Sequence, residues 1–505
     1  MSSKLLMVGL YFLCLIAIGV VASRRMKSVR DYFAGGKKLG FFTAALSAQS
    51  TGESAWLLLG LTGMGAAVGF QAFWVVIGEV IGVSITWLLM SRRFKRLTDQ
   101  YDSITVPDYL EDRFRNQKHW LRLVAAATLV VFVTIYVSAQ IFATGKAFNS
   151  FLGWNFYAGA LVGFAIVVTY SVAGGFLAVA WTDTFQGMLM LLGLLLLPIA
   201  GLISAGGWEQ VTTQLAAIEP TLLHFSGAGN WSLSTAIAAF GLASVGLGFM
   251  GSPQIFVRFL SIRSEKTLKA GMITGITWTM LADTGAVLTG MIGRVLLTSP
   301  GESVSAVLGE NAESVLPMMA DQLMPMFIVG IYIAVVLSAI MSTADSLLVV
   351  ASSAAVRDYY QKVRHPNFPD DKLVGLSRKM TLAMALLSLA IAMLVAWRTE
   401  EGAKGTIYWF VIFGWSGIAA TFCPTMLLSL FWRKMTAGGA LAGMITGFVC
   451  IPIFKFWAPL LPVVGQAFTN MTELPPAFLL SLMAGIVVSS FDHRGQQAVA
   501  DVNLN

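Results

Sequence analysis

The chain has 505 residues and a mass of 54.3 kDa; 56% of it is hydrophobic, only 12% is charged, and the mean hydropathy is +0.75. A soluble chain carries about 25% charged residues, so a multidomain soluble enzyme is excluded and the chain reads as one that crosses a bilayer many times. The formal charge of +7 suggests a polyanionic partner only until the cations are placed.

Apolar runs long enough to span lie near 4–22, 40–65, 68–90, 121–146, 156–173, 184–205, 232–258, 270–295, 322–350, 375–396, 406–431, 437–458 and 474–490. These thirteen segments are expected to be helices, because backbone groups in lipid must be satisfied within the segment, and barrel strands would alternate over about ten residues. The first run is too long for a signal-peptide core, and Arg24, Arg25 and Lys27 follow it rather than precede it. It reads as a retained helix that starts outside. With that orientation, 27 of the 33 Lys and Arg residues fall in odd-numbered connections and the C-terminal tail. They are grouped as Arg24–Lys38, Arg92–Arg122, Arg258–Lys269, Arg357–Lys379, Arg433 with Lys434, and Arg494. The opposite side keeps Lys4, Lys146, Arg294, Arg398 and Lys404, and Lys455 lies within a span. The asymmetry predicts an outside N-terminus and a cytoplasmic C-terminus. The positive charge is therefore a topology signal, and no nucleic acid is implied.

Polar residues interrupt the spans in a few places, and charge at such depth costs about 2.5–3.5 kcal/mol on insertion scales. The second span contains Ser47-Ala48-Gln49-Ser50-Thr51-Gly52-Glu53-Ser54, a poor helix with Gly52 at its centre. It reads as a break, or as a small-residue helix contact in which Glu53 pairs with a neighbour. Glu79 and Asp283 stand singly in the third and eighth spans and read as helix-contact or counter-ion groups. The seventh span holds Gly246, Gly248, Gly251 and Pro253, which frees several backbone hydrogen bonds. The ninth contains Ser342-Thr343-Ala344-Asp345-Ser346, with Ser342 and Ser346 on one face; its hydroxyls either bond back to the preceding turn or supply the hard oxygens sodium prefers. Spans two to six and seven to eleven form two sets of five, each opened by an interrupted helix, so the second inserts inverted. Such paired breaks point to a transporter site at the midplane. Cys14, Cys423 and Cys450 read as free, buried packing residues. The four histidines fall between spans or after the last, and nothing resembles a transition-metal site.

Several stretches carry a resemblance to a known family. Asp31-Tyr32-Phe33-Ala34-Gly35-Gly36, Leu46-Ser47-Ala48 leading to Trp56-Leu57-Leu58, Thr134-Ile135-Tyr136, Arg258-Phe259 and Met341-Ser342-Thr343 occur in that family's order. The run Gly174-Gly175-Phe176-Leu177-Ala178-Val179-Ala180-Trp181-Thr182-Asp183 with Gln186 is its most specific mark. On these residues the chain resembles the sodium/solute symporters, and most of all their proline-transporting members, over nearly its whole length. The resemblance implies an all-α polytopic fold of thirteen helices around a LeuT-type five-plus-five inverted repeat. The expected division is an extra helix over 1–23, repeats over 40–205 and 232–431, two further spans over 437–490 and a short cytoplasmic tail over 491–505.

The resemblance also implies roles. Carbonyls of Ser50, Glu53 and Ala339 with the hydroxyls of Ser342 and Thr343 look like the family's sodium site. Asp183 is similar to the acid that helps the ion leave. Gly52, Trp56, Gly60, Tyr136, Phe249 and Pro253 occupy positions similar to those lining the solute pocket. The proline-transporting members carry an aspartate where this chain has Gly52, and a tryptophan and a tyrosine where it has Val245 and Phe249. Glu53, one residue after Gly52, is the acid placed to meet a solute amine or to carry a proton.

The expected function is sodium-coupled import of proline or a related small amino acid across a bacterial-type inner membrane, with one chain sufficient for transport. Another small organic solute, or proton coupling through Glu53, is the alternative. A channel is disfavoured by the absence of a carbonyl filter or charged ring, a sensor by the short tail, and an enzyme by the lack of a base beside Ser342.

Overall fold

A computed structural model describes residues 2–26, 28–116, 118–400 and 407–502. Lys27 and Lys404, two of the cations counted above, lie outside the described residues, as do residues 503–505 of the expected tail. Among the described residues the fold is helical, and the one extended pairing is a parallel bridge between Leu39 and Ile262. Among the described residues, eleven helices are long and apolar enough to cross a membrane by themselves. One of them, Phe41–Gln100, contains both the second and third spans, and the fifth appears as the shorter apolar helix Phe156–Val172. The thirteen expected segments are thereby all present among the described residues.

Two long helices show how the chain reverses without loops. Phe156–Ser204 runs 49 residues, about 74 Å at 1.5 Å per residue, more than twice a hydrocarbon core of ~30 Å. The turn is made at Gly175, with φ +55° and ψ −157°, against the ring of Tyr32, which an added Cβ would meet at 2.6 Å. Gly69, at φ +57°, does the same between the second and third spans.

The ninth span, Met326–Ser353, is the axis of the bundle. Every residue from Tyr332 to Ser353 is buried, against the first, second and fourth spans and the long helix of the fifth and sixth. Beyond it, a π-helical extension, Ala354–Arg364, is pinned from the side. The Arg122 guanidinium reaches Asp358 at 2.6 Å, Asp108 at 2.7 Å and Glu111 at 2.5 Å. Burial alone would push the Asp108 carboxyl up, but the charges of Arg122 and Arg357 outweigh it and hold it below its ordinary value.

Two readings of the sequence are corrected here. Arg258, counted among the cations of a polar connection, is fully buried inside the bundle, because it has an acid to pair with there. Cys14 is exposed on the first helix, whereas Cys423 and Cys450 are buried; the first helix has only one face to offer the bundle.

The third and seventh spans pack backbone to backbone. An added Cβ on Gly78 would lie 1.8 Å from the Ala243 carbonyl, and one on Gly82 would lie 2.0 Å from that of Gly246. Gly82→Ala is expected to destabilise the bundle by about 1–3 kcal/mol, whereas Gly375→Ala, with nothing within 4 Å, leaves it unchanged. Thermal midpoints of the two purified variants, read by size-exclusion fluorescence, check this.

Candidate functional site

The second span does leave the helix, but two residues later than Gly52. The helix continues through Gly52 and departs at Ser54, with φ +59° and ψ −168°, a conformation that costs a non-glycine residue about 1–3 kcal/mol. The surroundings hold it there. Ser54 Oγ accepts from the Trp56 N–H at 3.1 Å, and Gln140 Oε1 accepts from the Ala55 N–H at 3.2 Å. Gly52 instead makes room, since an added Cβ would meet the Phe249 ring at 2.6 Å.

The seventh span breaks between Leu233–Ala243 and Pro253–Ser261, through a 3-10 turn over Ser244–Phe249. Its freed carbonyls also find partners. Trp415 Nε1 donates to Val245 O at 3.1 Å, Ser252 Oγ to Gly248 O at 2.6 Å, and Thr86 Oγ1 to Phe249 O at 3.0 Å. Buried backbone groups in hydrocarbon demand such satisfaction. At one end the two broken spans are tied together: the Leu39 N–H donates to Ser261 O, and the Arg263 N–H to Leu39 O, both at 3.0 Å.

The ninth span meets the first break through oxygens. Ser342 Oγ donates to Ser50 O at 2.9 Å and Thr343 Oγ1 to Thr51 O at 3.0 Å, while Ala339 O lies 3.3 Å from Ser342 Oγ. Ser50, Ala339, Ser342 and Thr343 are thus brought to one point, joined by the carbonyl of Thr51, which sequence reasoning missed. The Glu53 carbonyl accepts from the Trp56 N–H, and the Glu53 side chain gathers with other acids. The carbonyls of Ser50, Thr51 and Ala339 and the hydroxyls of Ser342 and Thr343 are buried and are neutral, hard oxygen donors.

Below them lies a buried charged network. Asp183 Oδ2 accepts from Ser47 Oγ at 2.6 Å and pairs with Arg258 Nη2 at 2.9 Å, both ionic residues being fully buried. Arg258 also donates to Ser47 Oγ and Thr51 Oγ1 at 3.0 Å each, and to the Ser346 hydroxyl. Thr51 is shared between the two layers: its carbonyl faces Thr343 and its hydroxyl lies 3.0 Å from Ser346 Oγ. Sequence reasoning placed Asp183 but missed Arg258, Thr51 and Ser346 as its partners. The signals were present, since Ser346 follows Ser342 by one turn and Arg258 sits five residues after Pro253.

Trp56, Tyr136 and Phe249 are buried around the breaks. Gly60 lies under Trp56, whose ring an added Cβ would meet at 2.4 Å, and Tyr136 faces Ser54. Trp415 packs edge-on to Phe249, with ring centroids 5.2 Å apart; the aromatic volume beside Val245 therefore comes from the eleventh span. Pro253 is set apart, lining a small cavity with Phe33, Thr105, Val257 and Ser353. Glu79 and Asp283 do not act as separate contact groups: their carboxylates converge with that of Glu53, all within 4.8 Å.

Breaking a buried ion pair on one side leaves an uncompensated charge, at about 3–5 kcal/mol. Asp183→Asn alone is therefore expected to lower the melting temperature more than Asp183→Asn combined with Arg258→Gln. A double-mutant cycle on purified protein reads the difference; equal losses would remove the pair from the account.

The profile of the Sodium:solute symporter family matches residues 32–447. The chain is 35% identical over 489 residues to the high-affinity proline transporter PutP of Bacillus subtilis, covering 96% of this chain and 98% of that one. It is 32% identical to the sodium/proline symporter of Haemophilus influenzae, covering 97% and 95% respectively. Among solved structures it is similar to a Na+-coupled sialic acid symporter, with a TM-score of 0.79 at 19% identity over 97% of this chain and 98% of that one. It is also similar to MhsT, solved with L-phenylalanine, with a TM-score of 0.52 at 17% identity over 88% and 98%. The fold is the LeuT-type architecture that the family resemblance implied, on a transporter and not an enzyme. With its family profile matched over most of its length and relatives above 30% identity from end to end, the chain belongs to the sodium:solute symporter family.

Proposed function

We propose that the protein imports proline, or a closely related small amino acid, driven by sodium. The observation that carries this reading is the meeting of the Ser342 and Thr343 hydroxyls with the Ser50 and Thr51 carbonyls, in a chain whose full-length relatives are proline transporters. Sodium takes these oxygens, with Ala339 O and the carbonyl of Glu53 completing its shell, and fixes the first break against the ninth span. Solute then binds beside the break, between Trp56, Gly60, Tyr136 and Phe249. Phe249 offers an apolar face without a hydroxyl, and Gly52 leaves the floor uncharged, so the solute's carboxylate is met by backbone N–H groups near the break.

The repeats run over 40–205 and 232–431, with the N-terminus outside, the C-terminus inside and Asp183 at the cytoplasmic end. Inward opening requires the Asp183–Arg258 pair to part, which couples ion departure to rocking of the bundle. A potential of about 100 mV supplies roughly 2.3 kcal/mol per charge moved. At about 1.4 kcal/mol per factor of ten, one sodium per solute supports accumulation of several tens-fold from the potential alone.

Uptake into proteoliposomes tests this reading. Proline is expected to accumulate under an inward sodium gradient and not under a proton gradient alone, and a panel of small amino acids, betaines and organic acids ranks the solute by competition. Thr343→Ala is expected to raise the sodium concentration for half-maximal uptake at least tenfold, with apparent solute affinity at saturating sodium nearly unchanged. Uptake that follows a pH gradient without sodium would contradict the coupling assignment.

A further inference from the structure

The three acids at the back of the first break have no explanation in that transport cycle. Glu53 comes from the second span, Glu79 from the third and Asp283 from the eighth. Each is at most 1% exposed, and their carboxylate oxygens lie within 4.8 Å of one another. Among the described residues, neither oxygen of Glu53 nor of Asp283, nor Oε2 of Glu79, has a hydrogen-bond donor outside the cluster. Asp183 is matched by Arg258, Glu313 by Lys146 and Glu473 by Lys455, whereas Asp345 is as deeply buried without an ion pair. Among the described residues no basic side chain pairs with Glu53, Glu79 or Asp283 either, and these three acids lie together. The indole of Trp56 lies beside Glu79, and the Tyr136 phenol is also near Glu53 and Glu79.

Three ionised carboxylates gathered in a dry interior are strongly unfavourable unless protons or a cation neutralise them. One oxygen of each acid lies within 4.8 Å of those of the other two, so the three can be offered to a single ion. Carboxylate oxygens select hard cations over soft ones.

We propose that Glu53, Glu79 and Asp283 form a second cation site, separate from the Ser342–Thr343 oxygens, that takes a hard inorganic cation. The ion ties the second, third and eighth spans together behind the break, while the backbone of the same second-span turn faces the first ion. Residue 53 therefore serves both layers, with its carbonyl toward one and its carboxylate toward the other. The acids border Trp56 of the proposed solute pocket, but the binding of an ion there is read without solute and does not depend on whether transport is sodium-driven.

The test is equilibrium binding of radiolabelled sodium, and separately calcium, to the purified full-length protein in nanodiscs, with no solute added and choline as the replacement ion. Thr343→Ala is expected to keep a saturable component, which disappears when Glu79→Gln and Asp283→Asn are added. Glu79→Gln and Asp283→Asn alone should conversely keep the component that depends on Thr343, which also shows that the variant is folded. If the double change does not fold, Glu79→Gln by itself should weaken the same component about tenfold. Saturation by sodium assigns the site to sodium, and saturation by calcium alone assigns it to calcium. Binding of both ions unchanged in the double variant, or no saturable component in Thr343→Ala, would overturn the site. A failure of solute uptake leaves this readout intact.

Discussion

The hydroxyls of Ser342 and Thr343 rest on the carbonyls of Ser50 and Thr51, and that contact exists because a helix was broken where hydrocarbon forbids unsatisfied backbone. A regular second span would bury those carbonyls in its own hydrogen bonds. Departing at Ser54 frees polar backbone groups in the middle of the bundle, and the ninth span, buried along most of its length, brings the hydroxyls that answer them. The cost of the strained Ser54 is carried by its own hydroxyl and by Gln140, so the break is fixed rather than frayed. The same logic governs the seventh span, where Trp415, Ser252 and Thr86 satisfy the opened turn.

Charge is distributed by the same rule. Where the bundle must part, an acid meets a base: Asp183 and Arg258 are fully buried and share Ser47, Thr51 and Ser346. Such a pair is held by geometry and opens only with the helices that carry it, which makes it a suitable latch. Thr51 links latch and ion oxygens through one residue, its carbonyl in one layer and its hydroxyl in the other. Behind the break the rule is broken, and three acids meet without a base. The cation proposed for that place would supply the positive charge that the neighbouring side chains do not.

Much of this was legible in the sequence. The thirteen segments follow from run length and charge, and the two breaks from Gly, Pro and Ser where apolar residues belong. Ser342 and Thr343 stood out because polar residues seldom cluster in a span without cause. What was hidden was partnership across long separations. Glu53, Glu79 and Asp283 are single acids in three different spans, and helical periodicity relates residues only within one. Arg258 was read as a loop cation because it follows an apolar run, and only the fold supplies the acid that buries it. The break shifted from Gly52 to Ser54 because packing on Phe249 claims the glycine, while hydrogen bonds stabilise the serine in a conformation its intrinsic preference disfavours.

The central claim is that an ion bridges the first break to the ninth span. Hydrogen exchange of the backbone over residues 46–61, followed by mass spectrometry on protein in nanodiscs with sodium or choline, tests it most directly. Sodium should slow exchange across this segment in the native protein and fail to do so in Thr343→Ala. Exchange that is indifferent to sodium, or slowed equally in both proteins, would contradict it.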